Sequence, residues 1–161
     1  MAEFIQSGPE LGNPFASDSL LQAYLRWRLP PDLQEGLAPG LLAFGQRVRE
    51  EARALGEEAE AHPPRYVAFG PWGERVDRIE LNGAWRRLQE IAAEECLVSL
   101  PYERPEGAFS RVHQFSRLYL FHPDSAWLTG ILAMTDGAAR ALEQHGDARL
   151  RERVLKRLLS N

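Results

Sequence analysis

Apolar positions recur every three or four residues over most of this chain, the spacing of helices with one buried face. Ser17-Asp18 can cap a first helix running to about Leu29, with Leu20, Leu21, Tyr24, Leu25 and Trp27 as its apolar surface. Pro30-Pro31 ends it, and Pro31 suits the start of the next turn. Leu41, Phe44, Val48, Ala52 and Leu55 form one stripe on a helix of roughly 20 residues, about 30 Å long. Its other face carries Arg47, Arg49, Glu50, Glu51, Arg53, Glu57 and Glu58, and mixed signs at that spacing read as a solvated face with local ion pairs.

The period changes after His62-Pro63-Pro64. Tyr66-Val67-Ala68-Phe69 and Val76-Asp77-Arg78-Ile79-Glu80-Leu81 flank Gly70-Pro71-Trp72-Gly73, which predicts a β-hairpin over about residues 66–81. A lone hairpin is marginal in water, so it is expected to lie against the helices. Asn82 can cap a helix that turns Trp85, Leu88, Ile91, Ala92 and Cys96 inward. Phe109, Val112, Phe115, Ser116 and Tyr119 make a further stripe ending near Phe121, and His122-Pro123-Asp124 separates it from the next helix. That helix, residues 125–145, is apolar nearly all round, which requires a central place in the bundle or a cover from elsewhere. Gly146 suits a left-handed terminator and Asp147 the next N-cap. The last helix has Leu150, Val154, Leu155 and Leu158 to bury and Arg149, Arg151, Arg153 and Arg157 to expose. The reading is all-α: a bundle of about six helices with one small hairpin. An extended arm over residues 1–16 precedes one helical domain over residues 17–161.

Composition narrows the class. The 161 residues, 44% hydrophobic and 26% charged, suit one soluble globular domain. A net charge of -4 gives no general attraction to nucleic acid or anionic membrane. The longest apolar stretch, residues 126–133, is far below the ~20 residues of a membrane span. Cys96 is the only cysteine and the N-terminus has no secretory pattern, so a reducing, cytoplasmic setting is expected.

Chemistry is sparse. His62, His113, His122 and His145 have no metal-ligand spacing, so no metal is expected. Cys96, on an apolar helix face, reads as a small hydrophobe. Gly70-Pro71-Trp72-Gly73 lies in a hairpin and does not open a helix, so it is no pyrophosphate cradle. The adjacent pairs Glu57-Glu58 and Glu94-Glu95 point about 100° apart on a helix and form no acid/base dyad. No residue is assigned a catalytic or cofactor-binding role. Arg149, Arg151, Arg153, Lys156 and Arg157 could meet nucleic-acid phosphates. Glu152 interrupts them and no aromatic interleaves, so a solvated face complementing the helix dipole is preferred.

Several motifs, in order, resemble the adaptive-response, AidB-like branch of the acyl-CoA dehydrogenases. Pro64-Arg65-Tyr66 and Trp72-Gly73-Glu74-Arg75-Val76-Asp77 are similar to a D-x-x-G-R-R-x-D hairpin, and Leu81-Asn82-Gly83-Ala84-Trp85 stands where that branch has H-P-A-W. Ser110–Phe121 corresponds to the next helix, and Ala133-Met134-Thr135-Asp136 to an M-T-containing central helix. His145-Gly146-Asp147 with Val154-Leu155 and Leu158 is similar to the wider family's G-T-x-E-Q-K-x-x-x-L-P-x-L ending. The resemblance implies the N-terminal helical domain of a flavoprotein that oxidises an acyl thioester between Cα and Cβ. It further implies a carboxylate base on the C-terminal helical domain and FAD held by a β domain and C-terminal helices. None of these falls within residues 1–161, and Asn161 is where the flavin domain is expected to start. The implied partners are therefore those two domains, no FAD is expected on this chain alone, and the chain alone is expected to be inactive. Rough alignment makes Leu128, Ile131, Leu132 and Thr135 wall residues of the acyl cavity, against their reading as ordinary bundle core. Two rival readings remain: a stand-alone interaction module that assembles with other domains or with itself, and a DNA-binding module using the basic last helix.

Overall fold

A computed structural model describes residues 6, 8, 9 and 11–160. Much of the expected arm lies outside these residues, but its end does not: α1, Pro14–Ser17, is already helical, with the Asn13 side chain accepting from the Phe15 and Ala16 amides. Asp18 then caps α2, Ser19–Arg28, through the Leu21 N–H at 2.7 Å. Only Leu21 and Leu25 of α2 are buried, and Leu20, Tyr24 and Trp27 face outward.

The second helix is longer than its apolar stripe. It starts at Pro31, runs as α3, Pro31–Arg47, through Pro39, widens for one turn at Val48–Ala52, and continues as α4, Arg53–Ala61. At 1.5 Å per residue the rod is about 45 Å long. The wide turn, closed by the Arg53 N–H on the Val48 carbonyl, keeps Val48, Ala52 and Gly56 on the buried side. α5, Gly83–Glu94, starts where Asn82 caps the Trp85 amide. Trp85 fills the centre of the core, and its indole N–H donates to the Ala59 and His62 carbonyls at 3.1 and 3.2 Å. Leu41, Phe44, Leu88 and Ile91 belong to the same core cluster. α6, Leu100–Glu103, leads into α7, Ser110–Phe121, which packs along α3. α8, Leu128–His145, follows the turn His122–Asp124. The last helix is α9, Ala148–Leu150, a wide turn Arg151–Leu155, and α10, Lys156–Leu158.

Three local expectations change. α5 ends at Glu94, and Cys96 is not on its apolar face. Cys96 takes φ 55, while its N–H meets the Ala93 carbonyl and the Leu97 N–H meets the Ala92 carbonyl. This is a Schellman closure with cysteine where glycine is usual. Gly146 is extended (φ -67, ψ 142), not left-handed, and a Cβ there would sit 2.5 Å from the Leu142 carbonyl oxygen, so close approach is what calls for glycine. On the last helix, Leu150 and Val154 stay exposed, while Leu155 and Leu158 are half-buried.

The hairpin, β1 (Arg65–Phe69) with β2 (Arg75–Glu80), is antiparallel, pairing Tyr66 with Ile79 and Val67 with Arg78. The register slips between Val67 and Phe69, where Asp77 adopts φ 43. It does not lie against the helices: its strands pack chiefly on each other, and Tyr66, Phe69, Trp72 and Ile79 stay exposed.

Candidate functional site: an apolar groove beside an uncharged helix face

An apolar groove of about 1050 Å³ opens between α2, the second half of α7 and the start of α8. Leu20 and Tyr24, one turn apart on α2, line it together with Phe115 and Tyr119, one turn apart on α7. These positions looked like core stripe in the sequence, yet Phe115 is 60% and Tyr119 51% exposed. α7 instead buries His113, Gln114, Ser116, Leu120 and Phe121.

The polar groups at the groove are committed to one another. Tyr119 donates its hydroxyl to Asp18 at 2.8 Å. The Leu21 amide, and then that hydroxyl, hold the Asp18 carboxyl below its usual range, and Asp18 in turn raises the Tyr119 phenol. Arg53 pairs with Asp124 at 3.2 Å, fixing the turn that carries Pro123. His122 Nδ1 and the Thr129 hydroxyl lie 2.6 Å apart. In sequence His122-Pro123-Asp124 separates two helices; its place at the groove edge depends on contact with the rod through Asp124, which only the fold supplies.

From Thr129 and Gly130 the groove passes onto the outer face of α8. Only Leu128 and Ala139 of this helix are buried. Trp127, just before the helix, and Gly130, Ala133, Met134, Gly137, Ala138 and Ala141 are exposed and uncharged. The helix is thus not central, and this face has no cover among the described residues. Its inner side is anchored at Asp136, which accepts from the Tyr102 hydroxyl, Arg111 and Gln114. Burial, and then the bond to Asp136, push the Tyr102 phenol up to about 12.

Of the expected wall residues, Leu128 is 1% exposed and belongs to the core cluster. Ile131 and Leu132 are half-buried and meet Leu158 and Leu159 in a cleft of about 130 Å³. Thr135 is half-buried, its hydroxyl on the Ile131 carbonyl at 3.0 Å. Leu128, Ile131 and Leu132 are brought together, with Thr135 one turn on, and none of the four lines the large groove.

The charges also regroup. Glu94 and Glu95 are not free surface charge: both take Arg47, which also binds Glu51, while Glu95 takes Arg117 and Arg87 spans Glu51 and Glu94. The network ties the rod to α5 and α7. In the basic last helix Lys156 pairs with Glu152, and the arginines are exposed with no aromatic between them.

The hairpin turn is closed on itself. Gly70 N–H meets the Glu74 carbonyl, Gly73 N–H the Gly70 carbonyl, and Trp72 N–H the Glu74 carboxylate at 3.1 Å. A loop whose amides are used, with a carboxylate already seated, does not fit a dinucleotide pyrophosphate. No group of three or more histidine, cysteine or acidic side chains is placed to hold a metal among the described residues. No helix of the described residues is long and apolar enough to cross a membrane.

Comparison with known proteins matches residues 8–161 to the adaptive response protein AidB N-terminal domain. Acyl-CoA dehydrogenase family member 11 of Caenorhabditis elegans is 37% identical over 161 residues. The match takes in 98% of this chain but 26% of that protein, so the chain spans about a quarter of its relative's length. A solved structure described as Bd2924 in apo-form superposes with a TM-score of 0.92 at 47% identity, covering 98% of this chain and 31% of that one. The crystal structure of Caenorhabditis elegans ACDH-11 in complex with C11-CoA superposes at 0.91 with 36% identity, covering 99% and 28%.

Proposed function

The chain belongs to the AidB N-terminal domain family, and from that premise we propose that it is the helical wall against which an acyl-CoA dehydrogenase-type flavoprotein holds the hydrocarbon part of an acyl thioester. The observation that carries this is the outer face of α8, which is uncharged from Gly130 to Ala138, ahead of Arg140, and is continuous with the apolar groove at Gly130. Each methylene moved from water onto such a surface is worth about 0.8 kcal/mol, and an unpaired charge there would cancel several of them. The relative solved with C11-CoA supports an acyl-CoA as the ligand class. On this reading Gly130, Ala133 and Met134 face the chain, Ile131 and Thr135 flank it, and Leu128 and Leu132 back the wall from the core.

The wall binds and excludes water, and it does not take protons. Asp18 is held ionised by the Leu21 amide and Tyr119, Asp124 is paired with Arg53, and Asp136 is engaged by Tyr102 and Arg111. The turn Gly70–Gly73 has its amides already bonded to Glu74 and Gly70, so it does not by itself fit a flavin dinucleotide's pyrophosphate. FAD, the α-proton base and the remaining cavity walls are assigned to further domains of a parent enzyme. A cytosolic setting fits the single, unpaired Cys96.

The test is a spin-labelled long-chain acyl-CoA titrated into the 161-residue chain. Paramagnetic broadening is expected first at the Met134 methyl and the Gly130 and Ala133 amides, and Gly130→Arg abolishes it. Broadening centred on the last helix refutes the assignment. Flavin that stays bound in stoichiometric amount through gel filtration refutes the division of labour.

A further inference from the structure

Apart from His145, α8 carries three ionisable residues, Asp136, Arg140 and Glu143. At 3.6 residues per turn they fall within about 60° of one another, and Met134 lies about 160° round the helix from Asp136. The charges of α8 are thus gathered on one line, away from its outer face. Glu143 accepts from Arg104, at the end of α6, at 2.6 Å and also holds Arg140. Asp136 is the least exposed of the three, with a side chain 16% exposed.

Asp136 is more than an ion-pair partner. The Tyr102 hydroxyl lies 2.5 Å from its carboxylate and 2.8 Å from its main-chain carbonyl. Arg111 and Gln114 donate to the other carboxylate oxygen. Gln114 is fully buried and is itself tied to the Leu97 carbonyl at 2.9 Å. The Arg111 guanidinium lies 5.1 Å over the Tyr102 ring. The receiving groups therefore hold one another, and one of them reaches the backbone of α8. That contact fixes the roll of the helix, which a pair of side chains alone leaves free to adjust. Apolar packing does not supply the same restraint along the whole helix. The α8 residues in or against the core cluster are Leu128, Ile131 and Leu132, all near its start. Past them, only Ala139 is buried.

We propose that Asp136 is a positioning residue for acyl binding: clamped by Tyr102, Arg111 and Gln114, it sets the roll of α8 and so decides which residues meet the hydrocarbon chain. This rests on the reading of α8 as the acyl wall. The tolerance is narrow, because Arg140 lies only about 20° round the helix from the line of Ala133. A roll of about 20° brings Arg140 onto that line, and a charge there opposes burial of the chain.

Methyl NMR of the 161-residue chain with a soluble gadolinium chelate reads the roll with no ligand present. In the wild type the exposed Met134 methyl relaxes strongly and the half-buried Ile131 and Leu132 methyls weakly. Asp136→Ala should bring Ile131 or Leu132 toward the Met134 value. It should also weaken binding of C11-CoA, the ligand of the solved relative, at least about tenfold, the loss of about two methylene contacts. Asp136→Asn should restore both, since its amide still accepts from Arg111 and leaves the Tyr102 hydroxyl on the main-chain carbonyl. Leu25→Val, a core change on α2, lowers stability without touching the clamp and should leave both as in the wild type. If Asp136→Ala leaves too little folded chain, Tyr102→Phe, which removes one hydroxyl, is read in the same way. An unchanged relaxation pattern in the clamp variants overturns the proposal. So does the same change in Leu25→Val, or an Asp136→Asn chain that behaves like Asp136→Ala. A wild-type chain that binds no C11-CoA overturns the acyl wall and the positioning role with it, even where the relaxation shows that the roll has changed, so the two failures are told apart.

Discussion

Two glycines on one rod should respond oppositely to the same substitution. In Gly56→Ala the new Cβ would lie 2.5 Å from the Asp124 carbonyl oxygen and 2.9 Å from its carbon. Those atoms are backbone, so relief requires the turn His122–Asp124 to move, and with it the Arg53–Asp124 pair. Overpacking of this kind costs about 1–3 kcal/mol, offset by the gain of about 1 kcal/mol from alanine's helix preference. A net loss of about 1 kcal/mol follows. In Gly36→Ala nothing lies within 4 Å, so only the helix gain of about 0.5–1 kcal/mol remains. The two variants should differ by about 2 kcal/mol. With a urea slope of about 2 kcal/mol/M, their midpoints separate by about 1 M. Urea melts of the two variants at unchanged slope measure this directly. If Gly56→Ala stabilises as much as Gly36→Ala, the close approach of the rod to the groove's edge is wrong. The Arg53–Asp124 clamp then loses its structural basis.

Two other measurements bear on the same framework. Cys96→Gly should stabilise the chain by about 1 kcal/mol, because φ 55 suits glycine and strains any other residue, while Cys96→Ala should bring no gain. Equal effects of the two would mean that the thiol, not the backbone, sets the energy. His113 should make stability depend on pH. Its Nε2 accepts from the Arg117 Nε–H at 2.9 Å, so Nδ1 carries the proton toward Glu106 at 2.8 Å. Burial, only partly offset by Glu106, lowers the His113 pKa below its ordinary 6.5. The unfolded chain then binds the proton first, so this contribution is complete above pH 6.5 and is lost as pH falls from there through the folded pKa. The slope is at most about 1.4 kcal/mol per pH unit. His113→Gln should flatten the urea midpoint across that window, and an unchanged slope rules the histidine out.

The helices were legible because their signals are local. The caps at Asp18, Asn82 and Asp147 act within three residues, and the stripe from Leu41 to Ala52 is one face of one helix. The hairpin was legible from its Gly/Pro turn, but its lack of support was not, since nothing local records what a strand packs against. The rod's first turns hid behind Gly36, Pro39 and Gly40, residues that usually end helices and here sit on its exposed side. The groove was the least legible part. Leu20 and Leu21 are identical residues at adjacent positions, each with an aromatic or aliphatic partner four residues on. Only contact with the rod decides that Leu21 is 7% exposed and Leu20 73%.

α7 shows why that ambiguity carries meaning. By composition it should bury Phe115 and Tyr119, yet it turns them out and takes His113, Gln114 and Ser116 in. Such an inversion costs stability on two counts: polar groups leave water and aromatic surface stays in it. The first count is met within the chain. Gln114 donates to the Leu97 carbonyl at 2.9 Å and accepts from Arg111, the Ser116 hydroxyl donates to the Val112 carbonyl, and His113 sits between Glu106 and Arg117. The second count is not met by any described residue, because Phe115 and Tyr119 look onto the groove. A helix that satisfies its inward polar groups one by one leaves its aromatic face open beside the uncharged outer stretch of α8, Gly130 to Ala138, and that face is what an occupant of the groove would cover. Covering the groove should therefore stabilise the chain more than any substitution within it. A long-chain acyl-CoA that leaves the melting temperature unmoved, even at saturation, would mean that the inverted face serves another partner.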